Sequence, residues 1–148
     1  MPSLADFAQL VPLDHGLCVV VTRRADLTPH ISVVNAGVLR HPSTGVESVA
    51  FVSVSRTRKL VNLRADPTIA VVIRAGWQWV SVEGRASVIG PDDPEPGIDQ
   101  ERLRRLLREI FSAAGGTHEN WEEFDLTMKR ERRTAIFVTP RSVISSLQ

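Results

Sequence analysis

The sequence predicts an antiparallel β-sheet that closes into a barrel, with helices packed outside it. Most of the β-branched, apolar segments follow one another along the chain, and short polar turns separate them. Strands alternating with helices would instead predict a parallel sheet, but helical periodicity is confined here to a few segments. Because closing the sheet leaves no unpaired edge strand, the pattern favours a barrel.

A short helix is predicted first, followed by three strands. Ser3 is suited to its N-cap, and the apolar residues after it recur at spacings of three and four. These residues are Leu4, Phe7, Leu10 and Val11. The strands are predicted at Leu17–Arg23, 29–39 and 47–54, with turns at 25–28 and 41–45.

Residues 55–66 change to helical spacing, with Ser55 as the expected N-cap. Pro67 ends this helix, because the residue before a proline avoids the α region. Two further strands are predicted at 68–74 and 77–89, joined by a tight turn at 75–76. Gly84 lies inside the second of them and predicts a bulge or a bend.

The last third begins with a polar loop at 90–97, which we expect to be exposed and mobile. An amphipathic stripe predicts a helix over 101–113, and Asn120 with Glu123 fits a capping box for another. Two short strands, 134–139 and 141–145, are predicted on either side of Pro140. The whole chain, 1–148, therefore contains six or seven strands with three or four helices and fits a single domain.

Charge and composition exclude several classes of protein. The formal net charge is +1, from 18 basic and 17 acidic residues, which argues against a nucleic-acid surface. No segment resembles a signal peptide or a membrane span, so we expect a cytoplasmic protein without a membrane partner. The single cysteine, Cys18, lies in an apolar run and is expected to be a buried, unreactive thiol.

The common catalytic motifs are missing from the sequence. It contains no nucleophile elbow, no zinc-binding pair, no Walker loop and no dinucleotide fingerprint. The four histidines, His15, His30, His41 and His118, are far apart in the chain, so no metal site is predicted. No catalytic residue can be named from these patterns.

One polar cluster lies where a predicted strand runs into a predicted helix. Unpaired amides and the positive end of the helix dipole attract anions there, and hydroxyls and guanidinium groups suit phosphate oxygens. Cations at a helix N-terminus oppose the dipole, so a bound anion would remove a conflict that a solvated first turn would retain. The predicted anion-binding residues are Ser53, Ser55, Arg56, Thr57, Arg58, Lys59 and Asn62.

Two tryptophans and two histidines are further candidates. Trp77 and Trp79 are two residues apart on a predicted strand and would share one face. They would either stack on a cofactor ring or belong to a core or dimer interface, and the sequence leaves both readings open. His30 and His118 would be proton donors or polar walls of a site, or ordinary core or surface histidines.

The run 58–67 contains Lys59, Asn62, Leu63, Asp66 and Pro67 in the order K-x-x-N-L-x-x-D-P. This motif resembles that of the split β-barrel flavin and deazaflavin oxidoreductases, the group related to pyridoxamine 5′-phosphate oxidase. Segments 21–30 and 82–86 resemble the family's opening hairpin and its V-x-G-x-A strand. The tail, 121–124 and 132–138, resembles the actinobacterial branch that uses coenzyme F420. Leu27 departs from the family pattern, which usually has glycine in that turn.

The resemblance implies a six-stranded antiparallel split β-barrel of the FMN-binding type, assembled as a homodimer with cofactor sites at the interface. Lys59 and its polar neighbours would hold the cofactor phosphate, and Trp77 and Trp79 would lie near the ring or tail. The strand around His30, Ile31 and Ser32 would line the ring.

Three functions are compatible with this resemblance. The first is an F420-dependent oxidoreductase that transfers hydride from the reduced deazaflavin to a small unsaturated or heterocyclic substrate. The second is an FMN-dependent oxidoreductase of the pyridoxamine-phosphate oxidase kind. The third is a non-catalytic protein that binds a flavin, a deazaflavin or haem. The arginine cluster and the tail favour F420, which carries more negative charge than FMN.

Overall fold

The computed structural model describes residues 1–146 and contains a closed barrel of six antiparallel strands, as the sequence predicts. The strands are β1 Leu17–Arg23, β2 Pro29–Arg40, β3 Glu47–Ser53, β4 Thr68–Ala75, β5 Gln78–Ile89 and β6 Thr134–Ser145. Their order around the barrel is β1-β2-β3-β6-β5-β4. The helices are α1 Leu4–Leu10, α2 Arg58–Ala65, α3 Gln100–Ala113 and α4 Trp121–Arg130, with a short 3-10 turn at Val11–Leu13.

Alternation along the strands divides the apolar side chains between two cores. Phe51 and Ile136 point into the barrel, where α1 adds Phe7 to the same cluster. Ala50 and Phe137, one residue away on the same strands, belong to an outer cluster with α3 and α4. The helices α3 and α4 therefore lie over the outer face of β3 and β6, and this position creates the groove described below.

Local cap signals place two of the helix starts correctly. Ser3 and Asp6 form a capping box on α1, and the Asn120 side chain accepts the Glu123 amide at the start of α4. The N-cap of α3 is Asp99, so this helix begins one residue earlier than expected. The prediction was wrong for α2, whose N-cap is Thr57 rather than Ser55.

The end of the chain corrects another prediction. The segments on either side of Pro140 form one strand, β6, because both pair with the long strand β5. Glu83 pairs with Ser142 and Gly84 with Pro140, so Arg141 has no opposite residue and forms a bulge. Gly84 is required at this point, since a Cβ there would lie 2.1 Å from the carbonyl oxygen of Thr139. The irregularity predicted at Gly84 is confirmed.

Two loops carry further detail. The polar loop after β5 is mostly exposed, as predicted, and two ion pairs connect it to the rest of the chain: the Arg64 guanidinium binds both oxygens of Asp93, and Arg132 binds Asp92. In the β1–β2 turn, Leu27 has φ of +71°, a left-handed conformation that favours glycine. This is the position where the resemblance implies glycine, so the turn keeps its shape although its residue differs.

Cys18 lies on the barrel interior and is 2% exposed. Burial raises the pKa of its thiol to about 12, so the thiol stays protonated and inert as predicted. None of the helices in residues 1–146 is long and apolar enough to cross a membrane.

Candidate functional site

A groove of about 480 Å³ separates strands β2 and β3 from helices α3 and α4. One part of its wall is apolar and includes Val33, Val52, Phe111, Phe124 and Met128. The other part is polar and includes Ser53, Thr57, Lys59, His118, Glu123, Thr127 and Arg133. A concave site with an apolar wall and a few convergent polar groups suits a small organic ligand.

Lys59 lies in the first turn of α2 and faces this groove. Only 9% of the residue is exposed, and its ammonium group has no hydrogen bond or ion pair with residues 1–146. Burial, together with the nearby positive charge of Arg133, lowers the pKa of the amine. An isolated buried cation is costly, so an anionic ligand in the groove would be bound favourably.

Arg133, just before β6, is a second cation on the same wall. Its Nη2 atom lies 3.2 Å from Glu131 Oε1, but its buried Nε atom has no hydrogen-bond partner within the described part of the chain. A buried donor without a partner is rare in folded proteins. Lys59 and Arg133 therefore leave positive charge and an unused donor available to a ligand.

The hydroxyl groups predicted for the anion site lie beside these cations. Ser53 Oγ and Thr57 Oγ1 are 2.8 Å apart, and both residues line the groove. Thr57 is the N-cap of α2, but its side chain makes no capping hydrogen bond. The first amides of α2 therefore lack a side-chain acceptor and are free to bind an anion.

The remaining predicted anion-binding residues do not line the groove. Asn62 is buried, and its Nδ2 atom donates to Thr22 Oγ1 at 3.0 Å, which fixes α2 against β1. Ser55 is buried, whereas Arg56 and Arg58 are exposed. Arg58 and Asn62 line a second depression, between α2 and the β1–β2 turn.

The β2 segment predicted to face a cofactor ring has alternating exposure. Ile31 is 63% exposed, whereas His30 and Ser32 point inward. Their His30 Nδ1 and Ser32 Oγ atoms are buried and have no partner among residues 1–146. The pKa of His30 is lowered by burial and by the charges of Arg24, Lys59 and Arg58, which places His30 close to the cationic wall. None of the three predicted residues of this segment lines the groove, so the structure leaves the two unused polar atoms on the inner face of β2.

Trp77 and Trp79 do not share a strand face. Trp77 lies in the β4–β5 turn and is 96% exposed, because Ala75 pairs with Gln78 and closes the hairpin one residue later than predicted. Trp79 lies on β5, where its backbone is hydrogen-bonded to Ser146. Neither residue lines the groove.

His118 lies in the α3–α4 connection and lines the groove within an aromatic cluster. Its ring is 5.6 Å from that of Phe124 and 6.1 Å from that of Trp121, measured between centroids. The Nδ1 atom accepts the Asn120 amide at 3.0 Å, so the neutral ring carries its hydrogen on Nε2. His118 can therefore donate a hydrogen bond from Nε2.

Sequence reasoning did not place Arg133 or Glu123 in the site. Arg132 and Arg133 belong to the tail segment that resembles the family, but no local pattern indicates that Arg133 lies beside Lys59. Within the described chain, no three His, Cys, Asp or Glu side chains are grouped so that they could hold a metal ion.

The family model named pyridoxamine 5′-phosphate oxidase matches residues 4–143. The chain belongs to this family. Its members are flavin- or deazaflavin-binding oxidoreductases. No curated protein matches the chain significantly in sequence.

Several solved structures have the same fold as this chain. The conserved hypothetical protein Rv2991 of Mycobacterium tuberculosis is 21% identical, with a TM-score of 0.67 over 98% of this chain and 84% of the other. An F420 reductase is 15% identical, with a TM-score of 0.60 over 90% and 93%. A Clostridium acetobutylicum protein related to general stress protein 26, of the pyridoxinephosphate oxidase family, is 14% identical, with a TM-score of 0.61 over 96% and 86%.

Proposed function

We propose that the protein is a coenzyme F420-dependent oxidoreductase that transfers hydride from the reduced deazaflavin to a small unsaturated or heterocyclic substrate. One observation carries the proposal: two cations face a groove that also has an apolar wall. Lys59 is buried without an acidic partner among residues 1–146, and Arg133 has a buried Nε donor that no described residue uses. This combination suits a ligand with an anionic group at one end and a flat ring at the other.

The residues of the groove fit such a cofactor. Lys59, Arg133 and the first amides of α2 would hold its phosphate, with Ser53 and Thr57 as hydroxyl partners. The contact of His30, Ile31 and Ser32 with the ring stays a prediction, because none of the three lines the groove. The bound deazaflavin would supply the hydride, while the protein positions the substrate and excludes water.

The exposed arginines favour F420 over FMN. Arg56 and Arg58 flank the start of α2 but do not enter the groove. Neither forms an ion pair or a hydrogen bond with a carboxylate among residues 1–146, although Asp92 lies within electrostatic range of Arg56. Carboxylates of the F420 tail would meet them outside the groove, whereas FMN carries no such tail. FMN is the second candidate, because the family model that matches the chain is that of pyridoxamine 5′-phosphate oxidase.

We further propose that a second copy of the chain covers the groove. The outward faces of β1 and β2 present Leu17, Val19, Ile31 and Val33, which are between 40% and 63% exposed. Val19 and Val33 pair directly, and Val33 also lines the groove, so the apolar strip continues into the site. An exposed apolar patch of this kind is typical of an interaction surface. A homodimer would therefore close the cofactor site from outside.

A side-by-side fluorescence titration with F420 and FMN tests the cofactor. Tighter binding of F420 supports the proposal, and tighter binding of FMN overturns it in favour of the flavin enzyme. Turnover of reduced F420 with a panel of conjugated and heterocyclic compounds separates an enzyme from a carrier protein. Binding without turnover of any compound would favour the carrier.

Sedimentation equilibrium tests the dimer. Ile31→Glu places a charge in the middle of the apolar strip and should shift the protein to monomer with weakened cofactor binding. Leu126→Glu is the matched control, because Leu126 is 66% exposed on α4 and does not line the groove. A monomeric wild-type protein at micromolar concentration would contradict the proposed dimer.

A further inference from the structure

The chain contains only two lysines, in different surroundings. Lys59 is buried in the groove wall, whereas Lys129 is exposed in the last turn of α4. An exposed lysine is almost fully protonated at neutral pH, which makes its amine unreactive towards carbonyl groups. Lys59 is instead buried and lies close to a second cation, Arg133, and both conditions favour the free amine.

Burial and the neighbouring charge of Arg133 disfavour the protonated form of Lys59. Arg133 adds positive charge from the start of β6, while His30 on β2 lies within electrostatic range. His118 and Glu123 line the same groove from the α3–α4 connection and from α4. Burial is the largest cause of the lowered pKa, and the charge of Arg133 acts in the same direction. Each unit by which a lysine pKa falls gives about tenfold more free amine at neutral pH.

The groove also selects what reaches this amine. The unpartnered Nε atom of Arg133 and the uncapped start of α2 attract an anionic group to a position beside Lys59. The groove is large enough for a small molecule and is open to solvent along one side. A molecule held by its anionic end would present a neighbouring carbonyl group to the lysine.

We propose that Lys59 forms an imine with small aldehydes that carry a carboxylate or phosphate group. The Nζ atom attacks the carbonyl carbon and a carbon–nitrogen double bond forms. The carbonyl oxygen leaves as water with the two amine hydrogens. No electrons are gained or lost in this step, and hydrolysis reverses it. The groove would therefore have an activity of its own, separate from hydride transfer.

This activity depends on the positive charge of the groove but not on F420 or FMN. A cofactor phosphate and an anionic aldehyde would use the same cations, so binding of one should exclude the other. Reductive trapping on the 148-residue chain needs no added cofactor, so a negative result would leave the outcome of the cofactor titration unaffected.

Reductive trapping identifies the reacting lysine. The protein is incubated at pH 7 with cyanoborohydride and either glyoxylate or glycolaldehyde, two aldehydes of similar size of which only glyoxylate is anionic. Peptide mapping by mass spectrometry then gives separate labelling rates for Lys59, Lys129 and the amino terminus. We expect glyoxylate to label Lys59 faster than Lys129, because the groove holds the carboxylate beside Lys59. The ratio of glyoxylate to glycolaldehyde labelling should be several-fold higher at Lys59 than at Lys129.

Two variants test the role of each cation. Lys59→Arg keeps the charge and should remove the labelling at position 59 while Lys129 reacts as before. Arg133→Gln should lower the glyoxylate-to-glycolaldehyde ratio at Lys59 towards that at Lys129, with circular dichroism as the check on folding. Inorganic phosphate should protect Lys59 from glyoxylate but leave Lys129 unprotected. Equal rates at the two lysines, or equal ratios for the two aldehydes, would overturn the proposal.

Discussion

Two clusters of cations lie on the same side of the barrel and differ in their partners. Between α3 and α4, the Nη1 atom of Arg104 lies 2.9 Å from Asp125 Oδ2, and the Nε atom of Arg108 lies 2.9 Å from Asp125 Oδ1. Arg104 also binds Glu101. In the groove, Lys59 forms no ion pair with residues 1–146, and Arg133 forms one, with the carboxylate of Glu131.

The comparison shows that residue type does not decide what a buried or half-buried cation does. Asp125 neutralises the charge between the helices, so Arg104 and Arg108 hold α4 against α3. Lys59 has no acidic partner among residues 1–146 and Arg133 has only Glu131, so the groove keeps an excess of positive charge that favours an anionic ligand. The Asp125 cluster is therefore structural, and the cluster of Lys59 and Arg133 is the candidate binding site.

The largest expected effect is on ligand binding. Lys59→Ala should weaken cofactor binding by roughly 10- to 100-fold, since a hydrogen bond to a charged group contributes about 1.5–3 kcal/mol. The fold should remain intact, because removing an unpaired buried charge offsets part of the packing that is lost. Fluorescence titration measures the affinity, and Lys129→Ala should leave it unchanged. An unaltered affinity in Lys59→Ala would refute the placement of the phosphate.

Adding a carboxylate to the groove should make the two clusters alike. Thr57→Asp supplies a better N-cap for α2 and places a negative charge beside Lys59. We expect the ligand-free protein to gain about 0.5–1 kcal/mol in unfolding free energy. Affinity for the anionic cofactor should fall about tenfold, because the carboxylate repels the phosphate. Chemical denaturation and titration measure the two changes, and Thr57→Asn is the uncharged control. If Thr57→Asp lowered both the unfolding free energy and the cofactor affinity, the excess of positive charge in the groove would not explain the ligand binding.

Breaking the Asp125 cluster should affect stability and not binding. Asp125→Asn leaves Arg104 and Arg108 without a carboxylate, and we expect the melting temperature at pH 7 to fall by about 2–6 °C. Arg108, and then Arg104, lower the pKa of Asp125, so its contribution is present above the unfolded pKa. The contribution is lost as the pH falls through the lower folded value, so the difference from the wild type should vanish in acid. Glu119→Gln, on an exposed loop, is the control.

The alkaline pH range should show the corresponding effect for Lys59. Its folded pKa is lowered, so the unfolded chain binds more protons between the folded value and about 10.4. The wild type should therefore gain stability relative to Lys59→Met as the pH rises through this window. Cys18 acts in the opposite direction, since its pKa is raised, but it is present in both proteins and cancels in the difference. A difference that stays constant with pH would mean that Lys59 titrates normally.

The smallest effect is expected for the exposed arginines. Arg56→Gln and Arg58→Gln should each weaken F420 binding by about threefold or less at ~0.15 M salt, because exposed charges are screened. The effect on FMN should be smaller still, since FMN lacks the tail carboxylates. Raising the salt concentration should remove the difference between the variants and the wild type. A larger loss for FMN than for F420 would count against the tail contact.

The sequence by itself determined the barrel, because its signals are local. β-Branched runs, turn residues and caps such as Ser3 and Asn120 act within a few residues, and the structure places the elements they predict. The candidate anion site at the start of α2 was also indicated locally, because hydroxyl and basic residues are adjacent in the chain there. The left-handed turn at Leu27 was visible only as a departure from the family pattern.

Only the tertiary structure decided which of these residues share a site. The pairing of β6 with β3 and β5 brings Arg133 beside Lys59 and carries the strand through Pro140. The hydrogen bond from Asn62 to Thr22 fixes α2 on the barrel, and the β4–β5 register places Trp77 in a turn. Long-range pairing and burial depend on how distant segments meet, so residue type could indicate an anion site but could not show which cations lack a partner.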